Sequence, residues 1–341
     1  MDKTLFQQAL LSWFAREKRD LPFRKTKNPY HIWISEVMAQ QTRIEALLRY
    51  YERFIVQFPD VKSLAAADED ALMKAWQGLG YYSRARNLQK AALQCMKDWD
   101  GNLPAAKKDL CALAGIGDYT AGAIASIAYG EKCSAVDGNV IRVFARLDNC
   151  REFTDDPKVR KRIVRQVEES LPETDCGDYN QALMELGALD CQPGNPKCSI
   201  CPVQQFCKGR LQEDVGLLPF KKPKKKRTAE QKEICIQAAW HEGQWWVRIR
   251  RRPEKGLLAG LYEFGGRFPQ NVIQKYRLED ADHIFTHKEW HMQGWLVMTD
   301  WQPEFVKWGD LETVYALPSA FDSFYQEADE ILKGDLEWIN Q

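Results

Sequence analysis

The first 210 residues place apolar side chains three and four positions apart, which is the period of an amphipathic helix. In residues 31–55 these positions are Ile34, Val37, Ile44, Leu47, Tyr51 and Phe54. Residues 72–96 and 121–130 repeat the spacing, and no alternating strand pattern competes with it. The pattern predicts an all-α first domain over residues 1–212.

The period changes from helical spacing to alternation after residue 231. The segments ICIQAAW (234–240) and WWVRIR (245–250) flank a short His-Glu-Gly-Gln turn, which is typical of a β-hairpin. We therefore predict a small α+β domain over residues 232–341. Residues 213–231 between the domains include KKPKKKR (221–227), a composition that cannot pack and that predicts a solvated basic linker able to add phosphate affinity.

The composition of the 341-residue chain fits a soluble protein with two domains, since 45% of its residues are hydrophobic. No apolar run reaches the length of a membrane span, and the N-terminal segment lacks the apolar core of a signal peptide. We expect a monomer without membrane contact, in a bacterial-type cytoplasm. The net charge of zero argues against a wholly basic nucleic-acid-binding protein.

The charge is nevertheless unevenly distributed along the chain. Residues 300–341 contain ten acidic and two basic side chains. Because the whole chain has no net charge, the preceding residues carry an excess of eight basic side chains. This distribution permits a polyanionic partner.

Four of the ten cysteines stand within seventeen residues, in the order C-x6-C-x2-C-x5-C. They are Cys191, Cys198, Cys201 and Cys207. Thiolates at this density bind zinc or an iron-sulfur cluster, whereas unliganded thiols are the alternative. Structural zinc sites usually have two separated pairs, so a single compact loop favours a 4Fe-4S cluster. The other six cysteines are scattered singly and are interpreted as buried reduced thiols.

The stretch LAGIGDYTAG (113–122) combines two glycines with the start of a helical pattern. We predict that one helix ends near Ala114 and another begins near Tyr119, with Gly115 and Gly117 adopting positive φ. Backbone amides exposed at such a turn bind a phosphate oxygen without reading the base sequence. A plain αα-hairpin is the alternative.

Two carboxylates occur in contexts that suit cleavage of a glycosidic bond, which needs an acid for the leaving group and an anion for the cationic sugar. Glu36 stands beside Trp33 and Val37, where desolvation favours a protonated carboxyl. Asp137 opens the helical segment DGNVIRVFARL. The alternatives are a solvated helix-face residue for Glu36 and a simple N-cap for Asp137.

Six segments resemble the adenine DNA glycosylases of the MutY family, within the endonuclease III superfamily, in both order and spacing. They are WISEVMAQQT, GLGYYSRARNL, GIGDYTAGAIAS, VDGNVIRVFARL, NQALMELGALDC and the cysteine loop. The resemblance covers essentially the whole chain. It implies an all-α helix-hairpin-helix glycosylase domain with a 4Fe-4S cluster loop, followed by a C-terminal α+β Nudix-like domain.

The resemblance implies catalytic roles for four residues. Glu36 would protonate N7 of adenine, and Asp137 would stabilise the sugar cation or bond to it transiently. Tyr119 and Asn139 would orient Asp137 and the attacking water. The endonuclease III branch has a lysine at the position of Tyr119, whose amine forms a Schiff base and permits strand cleavage. Because a phenol cannot do this, the resemblance implies base removal without strand cleavage.

Further positions match residues that contact DNA in the family. Gln41 and Tyr81 correspond to residues that wedge into the duplex beside the extruded base, since a base is inaccessible inside a stacked duplex. Arg24 and Gln181 fall near the adenine pocket. Phe23 replaces the tryptophan that is usual before Arg24.

The second domain also carries a resemblance. KGLLAGLYEFGG (255–266) resembles the core of a Nudix-like domain, but no glutamate-rich, magnesium-binding helix follows it, so we expect binding without hydrolysis. Phe285, Thr286 and His287 match the family's loop for recognising 8-oxoguanine, with threonine in place of serine. The alternative is that Phe285 belongs to the core and His287 is an ordinary polar loop residue.

The sequence thus predicts a monofunctional DNA glycosylase of base excision repair. It would act on double-stranded DNA, flip out adenine mispaired with 8-oxoguanine or guanine, and remove it by hydrolysis to leave an abasic site. We therefore expect it to be associated with the nucleoid when it acts. One alternative is a non-catalytic iron-sulfur DNA-binding protein. Another is a mismatch glycosylase with a different base target.

Overall fold

A computed structural model describes residues 2–223 and 226–339 of the chain. Its contacts divide these residues into two compact units. The first unit comprises residues 2–66 and 87–223, and the second comprises residues 67–86 and 226–339. None of the described helices combines the length and the apolar content that crossing a bilayer requires.

Eleven α-helices precede the first strand, and the described residues before Thr228 contain no strand, which confirms the all-α prediction for this region. The helices are α1 (Lys3–Glu17), α2 (Pro29–Ala39), α3 (Ile44–Gln57), α4 (Val61–Ala65), α5 (Glu69–Ala75), α6 (Ser83–Asp98), α7 (Lys107–Leu110), α8 (Asp118–Tyr129), α9 (Gly138–Leu147), α10 (Pro157–Ser170) and α11 (Cys176–Leu189).

Asp and Asn side chains determine where many of these helices begin. The first turns of α1, α2, α4, α5, α9 and α10 each donate a backbone N–H to such a cap. At α2 the cap is Asn28 and Pro29 follows it, a pair that sets both the hydrogen bond and the backbone angle of a first turn. Asn28 thus fixes where α2 begins, and α2 carries Glu36. Asp137 is itself the cap that fixes where α9 begins.

The core of the first unit is formed by packing α2 on α8 and α9 on α11. Helix α9 is buried along most of its length, since Val140, Ile141 and residues 143–147 are all inaccessible. Its apolar residues pack with Tyr179, Leu183 and Leu186 of α11. The helices that carry the predicted catalytic residues are therefore held in a packed core rather than at a loose surface.

The second unit is built on a mixed five-stranded sheet with the order β5-β6-β1-β2-β7, together with a separate β3-β4 ribbon. The strands are β1 (Thr228–His241), β2 (Gln244–Val247), β3 (Ile249–Arg251), β4 (Tyr262–Phe264), β5 (Gln274–Ile284), β6 (Lys288–Met298) and β7 (Val306–Lys307), and the helices are α12 (Asp310–Thr313) and α13 (Asp322–Ile339). Strand β1 runs parallel to β6, and the other strand pairs are antiparallel.

The predicted α+β class and the predicted hairpin are both confirmed in this unit. His241 pairs with Gln244, which leaves the two-residue turn Glu242-Gly243 with both φ angles positive. This is the geometry of a tight hairpin whose twist matches the strands. Strand β1 begins at Thr228, inside the stretch predicted as a linker. The resemblance to Nudix domains stays a prediction.

Residues 67–86 contact the C-terminal part of the chain. Lys74 Nζ donates to the carbonyl oxygens of Leu311 and Tyr315 at 2.9 and 3.0 Å, and the Gln77 amide donates to that of Leu317 at 2.9 Å. The sequence had assigned this segment to the helical domain. Its helical pattern was correct, but a helical pattern contains no information about which distant residues the helix will contact.

Candidate active site

A cavity of about 440 Å³ opens in the first unit. It is walled by side chains from α2, α8 and α11, by the start of α9, and by the segment between α1 and α2. Six of the predicted site residues line it, namely Arg24, Glu36, Tyr119, Asp137, Asn139 and Gln181. The sequence placed these residues in one site, and the fold brings them together from segments up to 157 positions apart.

Glu36 and Tyr119 form a direct pair in this cavity. The Tyr119 hydroxyl donates a hydrogen bond to Glu36 Oε2. Burial raises the pKa of Glu36 to about 7, the hydrogen bond from Tyr119 opposes this rise, and the negative charge of Asp137 adds to it. A carboxyl with this pKa is available as a proton donor near neutral pH.

Asp137 is held at the start of α9 by two hydrogen bonds. One of its oxygens accepts the N–H of Val140 at 2.7 Å, and the other accepts the side-chain amide of Asn139 at 2.8 Å. Burial raises the pKa of Asp137, and both hydrogen bonds oppose this rise because they favour the anion.

The cavity thus contains an acid and an anion in different environments, which is the division of roles that acid-assisted cleavage of a glycosidic bond requires. Asn139 donates to Asp137, and Tyr119 donates to Glu36. The role predicted for both residues, orienting Asp137 and the attacking water, stays a prediction.

Gly187 of α11 allows the close approach that places Asn139. A Cβ at this position would lie 2.5 Å from the Cβ of Asn139, which is closer than side chains tolerate. The glycine therefore lets α11 pack directly against the start of α9. A larger residue would displace the amide that holds Asp137.

Arg24 lies in the cavity as predicted, but its guanidinium is paired with a residue that the sequence did not single out. Glu185 accepts two hydrogen bonds from Arg24, at 2.9 and 2.8 Å, and two from the side chain of Arg19, at 2.9 and 2.7 Å. Burial alone would raise the pKa of Glu185, but the two arginines outweigh it and lower the pKa to about 2. Glu185 is 1% exposed, so it is a buried anion that fixes two cations at the cavity wall.

The turn before α8 differs in detail from the prediction. Helix α7 ends at Leu110, four residues before the predicted end, and α8 begins at Asp118. Gly115 adopts a φ of 73°, as predicted, whereas Gly117 has a φ of −88° and is the N-cap of α8. Both glycines are exposed, so their backbone remains accessible to a ligand.

The two predicted wedge residues are exposed and share an unusual backbone conformation. Gln41 has a φ of 60° and Tyr81 a φ of 46°, although neither is a glycine. Residues in this region are strained and occur disproportionately at functional sites. They lie in different units, since Tyr81 belongs to the segment that contacts the C-terminal part of the chain.

The predicted recognition loop lies near Tyr81 in the second unit. The Thr286 hydroxyl and the Tyr81 hydroxyl share a hydrogen bond at 2.9 Å. Phe285 packs edge-on against Trp290, with ring centroids 4.9 Å apart, which fits the alternative that it belongs to the core. Thr286 and His287 are exposed. The loop therefore presents two polar side chains on a hydrophobic anchor.

All four clustered cysteines line a second, smaller cavity in the first unit. Arg146 is 1% exposed and donates to the Cys191 sulfur at 3.3 Å. It has no carboxylate partner among residues 2–223 and 226–339. A buried cation beside four thiols fits the negative charge of a thiolate-ligated cluster.

A chain of hydrogen bonds connects the anion of the active site to the cysteine loop. The Arg142 guanidinium donates to the Asn139 side-chain oxygen at 2.7 Å and to the carbonyl oxygen of Cys191 at 2.8 Å. Asn139 in turn donates to Asp137. The sequence did not indicate Arg142, because an arginine on a helix gives no sign of its partner. Folding of the cysteine loop and placement of Asp137 are thus physically linked.

Comparison with known proteins agrees with this fold and site. Residues 34–169 match the model of the HhH-GPD superfamily of base excision DNA repair proteins, and residues 191–207 match the iron-sulfur binding domain of endonuclease III. The architecture and the site therefore define a helix-hairpin-helix base excision repair protein, and its four loop cysteines bind a 4Fe-4S cluster.

The relatives identify the family more closely. The chain is 36% identical over 301 residues to the adenine DNA glycosylase of Buchnera aphidicola subsp. Baizongia pistaciae, covering 86% of this chain and 84% of that protein. It is 35% identical over 314 residues to the adenine DNA glycosylase of Rattus norvegicus, covering 77% of this chain. The chain belongs to the adenine DNA glycosylase family. It spans 60% of the length of the rat and mouse relatives.

Solved structures support the fold of the helical part. A thermostable thymine-DNA glycosylase matches with a TM-score of 0.56 and 26% identity over 62% of this chain and 97% of that chain. An endonuclease III bound to DNA matches with a TM-score of 0.53 and 23% identity over 62% of this chain and 100% of that chain. The second similarity supports the fold alone.

Replacing Cys201 with serine is expected to abolish the visible absorption of the cluster and to lower DNA affinity. Burial raises the pKa of the Cys201 thiol to about 12, so formation of the thiolate depends on the metal, and a serine hydroxyl is a poorer ligand for iron. The measurement is the absorption spectrum of purified protein together with titration of a DNA duplex. Cys111→Ser is the matched control because Cys111 is exposed and outside the loop, and equal spectra for the two variants would contradict the assignment.

Proposed function

We propose that the protein is a monofunctional adenine DNA glycosylase that acts on adenine opposite 8-oxoguanine or guanine. The observation that carries this proposal is the pair of carboxyls in one cavity. The pKa of Glu36 is raised to about 7, while Asp137 is held by two hydrogen bonds that favour its anion. Membership of the adenine DNA glycosylase family supports the choice of base.

In the proposed reaction, Glu36 gives its proton to N7 of an extruded adenine, which makes the base a better leaving group. The bond between the base and C1′ of the sugar then breaks, and the pair of electrons leaves with the base. Asp137 stabilises the resulting sugar cation through its negative charge. Water adds at C1′, and its proton leaves to complete the hydrolysis. Asn139 keeps Asp137 in place.

The wall formed by Arg19, Arg24 and Glu185 supports a role in holding the base. Both guanidiniums are fixed by the same buried carboxylate, so the edges they present to the cavity are rigid. Gln181 also lines the cavity, and its amide makes only long contacts of 3.4 Å within its own helix. We propose that this amide is available to hydrogen-bond the edge of adenine.

We propose that the strand is not cleaved because the cations that line the cavity are arginines. Arg19, Arg24 and Arg43 line it, and no lysine does so among the described residues. A guanidinium stays protonated and does not form a Schiff base, whereas a lysine amine does. Tyr119, at the position of the lysine in the endonuclease III branch, donates to Glu36 instead. The product would therefore be an intact strand with an abasic site.

We further propose that the exposed backbone at Gly115 and Gly117 binds a phosphate, and that Gln41 and Tyr81 wedge into the duplex. Extruding a base breaks its stacking and pairing, and the strained φ angles of both wedge residues support their selection for this task. Thr286 would contact 8-oxoguanine in the second unit. Its hydrogen bond to Tyr81 supports a recognition surface that these two residues form within the second unit.

A panel of duplexes tests the proposed target. Each carries adenine opposite 8-oxoguanine, guanine or thymine, and a fourth carries thymine opposite guanine. Under single-turnover conditions we expect adenine release from the first two duplexes, and the rate should be higher opposite 8-oxoguanine. The Thr286→Val variant should show a smaller difference between these two rates. Release of thymine from the fourth duplex without release of adenine would support a different mismatch glycosylase. Binding without release of any base would support a non-catalytic DNA-binding protein.

The rate of base release is expected to fall as the pH rises through about 7. Glu36 works only as a protonated acid, and its raised pKa means that the protonated form dominates below about pH 7 and declines about tenfold per unit well above it. Tyr119→Phe removes a hydrogen bond that lowers this pKa, so its falling limb should move to higher pH. Single-turnover rates from pH 5.5 to 9 measure both, and a flat wild-type profile would contradict the role of Glu36.

A further inference from the structure

Another cavity, of about 400 Å³, opens in the first unit beside Gly138, the residue that directly follows Asp137. It is bounded by α9, the first turn of α10, Pro193 and Gly194 of the cysteine loop, and the segment 216–221. We call it the basic cavity because Arg142, Arg160 and Lys221 line it. Lys221 belongs to the linker that the sequence predicts to add phosphate affinity, whereas Arg142 and Arg160 were not indicated by the sequence.

The charges in the basic cavity are unbalanced. Asp155 is the acidic residue in its wall, and its carboxylate accepts the backbone N–H of Lys222 at 3.2 and 3.3 Å. Arg160 and Lys221 are both exposed, and neither forms an ion pair with another described residue. The guanidinium of Arg142 donates to neutral oxygen atoms. Three cations therefore face one anion, an arrangement that attracts a negatively charged ligand.

We propose that the basic cavity binds a backbone phosphate of the DNA strand that carries the target nucleotide. The inference rests on the proposed function, because that function places the target sugar at Asp137. Every internal sugar in a strand has a phosphate on each side, so a strand held at Asp137 must carry a phosphate close to the neighbouring Gly138. The basic cavity opens at this point, and none of its lining residues also lines the active-site cavity.

The side chains of the basic cavity suit a phosphodiester. Arg160 can form paired hydrogen bonds to a phosphate, and Lys221 supplies a mobile point charge. Contacts of this kind position a strand without reading its sequence. The cavity would therefore fix the register of the target strand while the active-site cavity selects the base. Pro193 and Gly194 in its wall belong to the cysteine loop, so the cluster would support this contact by shaping the wall.

The test measures binding of wild type, Arg160→Gln and Lys221→Gln to a duplex with an uncleavable abasic-site analogue opposite 8-oxoguanine. Dissociation constants are determined over a range of salt concentrations. Each variant is expected to bind more weakly and to lower the slope of log affinity against log salt by about 1.

Arg165→Gln is the matched control because Arg165 is also an exposed arginine of α10 but pairs with Glu169 outside the cavity. A second arm replaces single phosphates on either side of the target with neutral methylphosphonates. At one of these positions, the neutral replacement should weaken DNA binding by wild type. It should also abolish the difference in affinity between wild type and Arg160→Gln. Equal effects of Arg165→Gln and Arg160→Gln, or no such position, would overturn the proposal. The duplex panel tests base release independently, so failure of the proposed function is distinguishable.

Discussion

Glu36→Gln is expected to lower the rate of adenine release by about 10²- to 10⁴-fold, the range that a positioned general acid contributes. Glutamine keeps the size of the side chain and can still accept a hydrogen bond from Tyr119, but it has no proton to donate at neutral pH. The measurement is single-turnover release from a duplex with adenine opposite 8-oxoguanine. DNA affinity should stay close to that of wild type, because the carboxyl is a small part of the binding surface.

Glu45→Gln is the control for this experiment, since Glu45 also lines the cavity but is exposed at the start of α3. It should release adenine at nearly the wild-type rate. If Glu36→Gln were as active as Glu45→Gln, the acid would have to be another group. If both variants were equally inactive, the loss would reflect the charge of the cavity as a whole.

Asp137→Asn is expected to lower the rate of base release by about 10²- to 10³-fold, the effect of removing one preorganised electrostatic contact from a transition state. Asparagine is as good an N-cap as aspartate, so it can still accept the N–H of Val140 and start α9. The variant therefore isolates the negative charge from the structural role. Thermal unfolding should show a native-like transition.

The same variant distinguishes the cap from the catalyst. Asp137→Ala removes both the charge and the cap, so it should lose activity and also unfold at a lower temperature. A fully active Asp137→Asn would reduce Asp137 to a helix cap, which is the alternative that the sequence left open. Retained DNA binding in the inactive variant would place the defect in the chemical step.

Much of the helical fold could be predicted because periodic spacing is a local property of the chain. The all-α region, the hairpin at residues 241–244 and the cap at Asp137 all follow from short-range patterns. The turn before α8 was less predictable. Gly117 could have adopted a positive φ, but as an N-cap it has an extended conformation that any residue can adopt.

The candidate site could be located from the sequence only where a motif marked it. Glu185 was missed because its partners Arg19 and Arg24 lie 166 and 161 positions away, and ion pairs at such separations leave no local pattern. Arg142 was missed for the same reason, since its partner Cys191 is 49 positions away. A glutamate within an otherwise apolar stretch of helix, ALMELGAL, was the one available sign.

The linkage between Asn139, Arg142 and the cysteine loop explains how a cluster outside the active-site cavity can matter to it. Arg142 contacts the carbonyl oxygen of Cys191 and the side chain that holds Asp137. A cluster that folds the loop therefore fixes the anion indirectly. No electron needs to move for this effect, because it depends on hydrogen bonds between neighbouring segments.

The central claim is that adenine is removed by acid-assisted hydrolysis without strand cleavage. The most direct measurement incubates a duplex containing one adenine opposite 8-oxoguanine with wild type or Glu36→Gln, and then divides each sample into alkali-treated and untreated halves. Strand breaks are expected only after alkali with wild type, and almost none are expected with the variant. Breaks in the untreated wild-type sample, or equal breaks with Glu36→Gln, would contradict this claim.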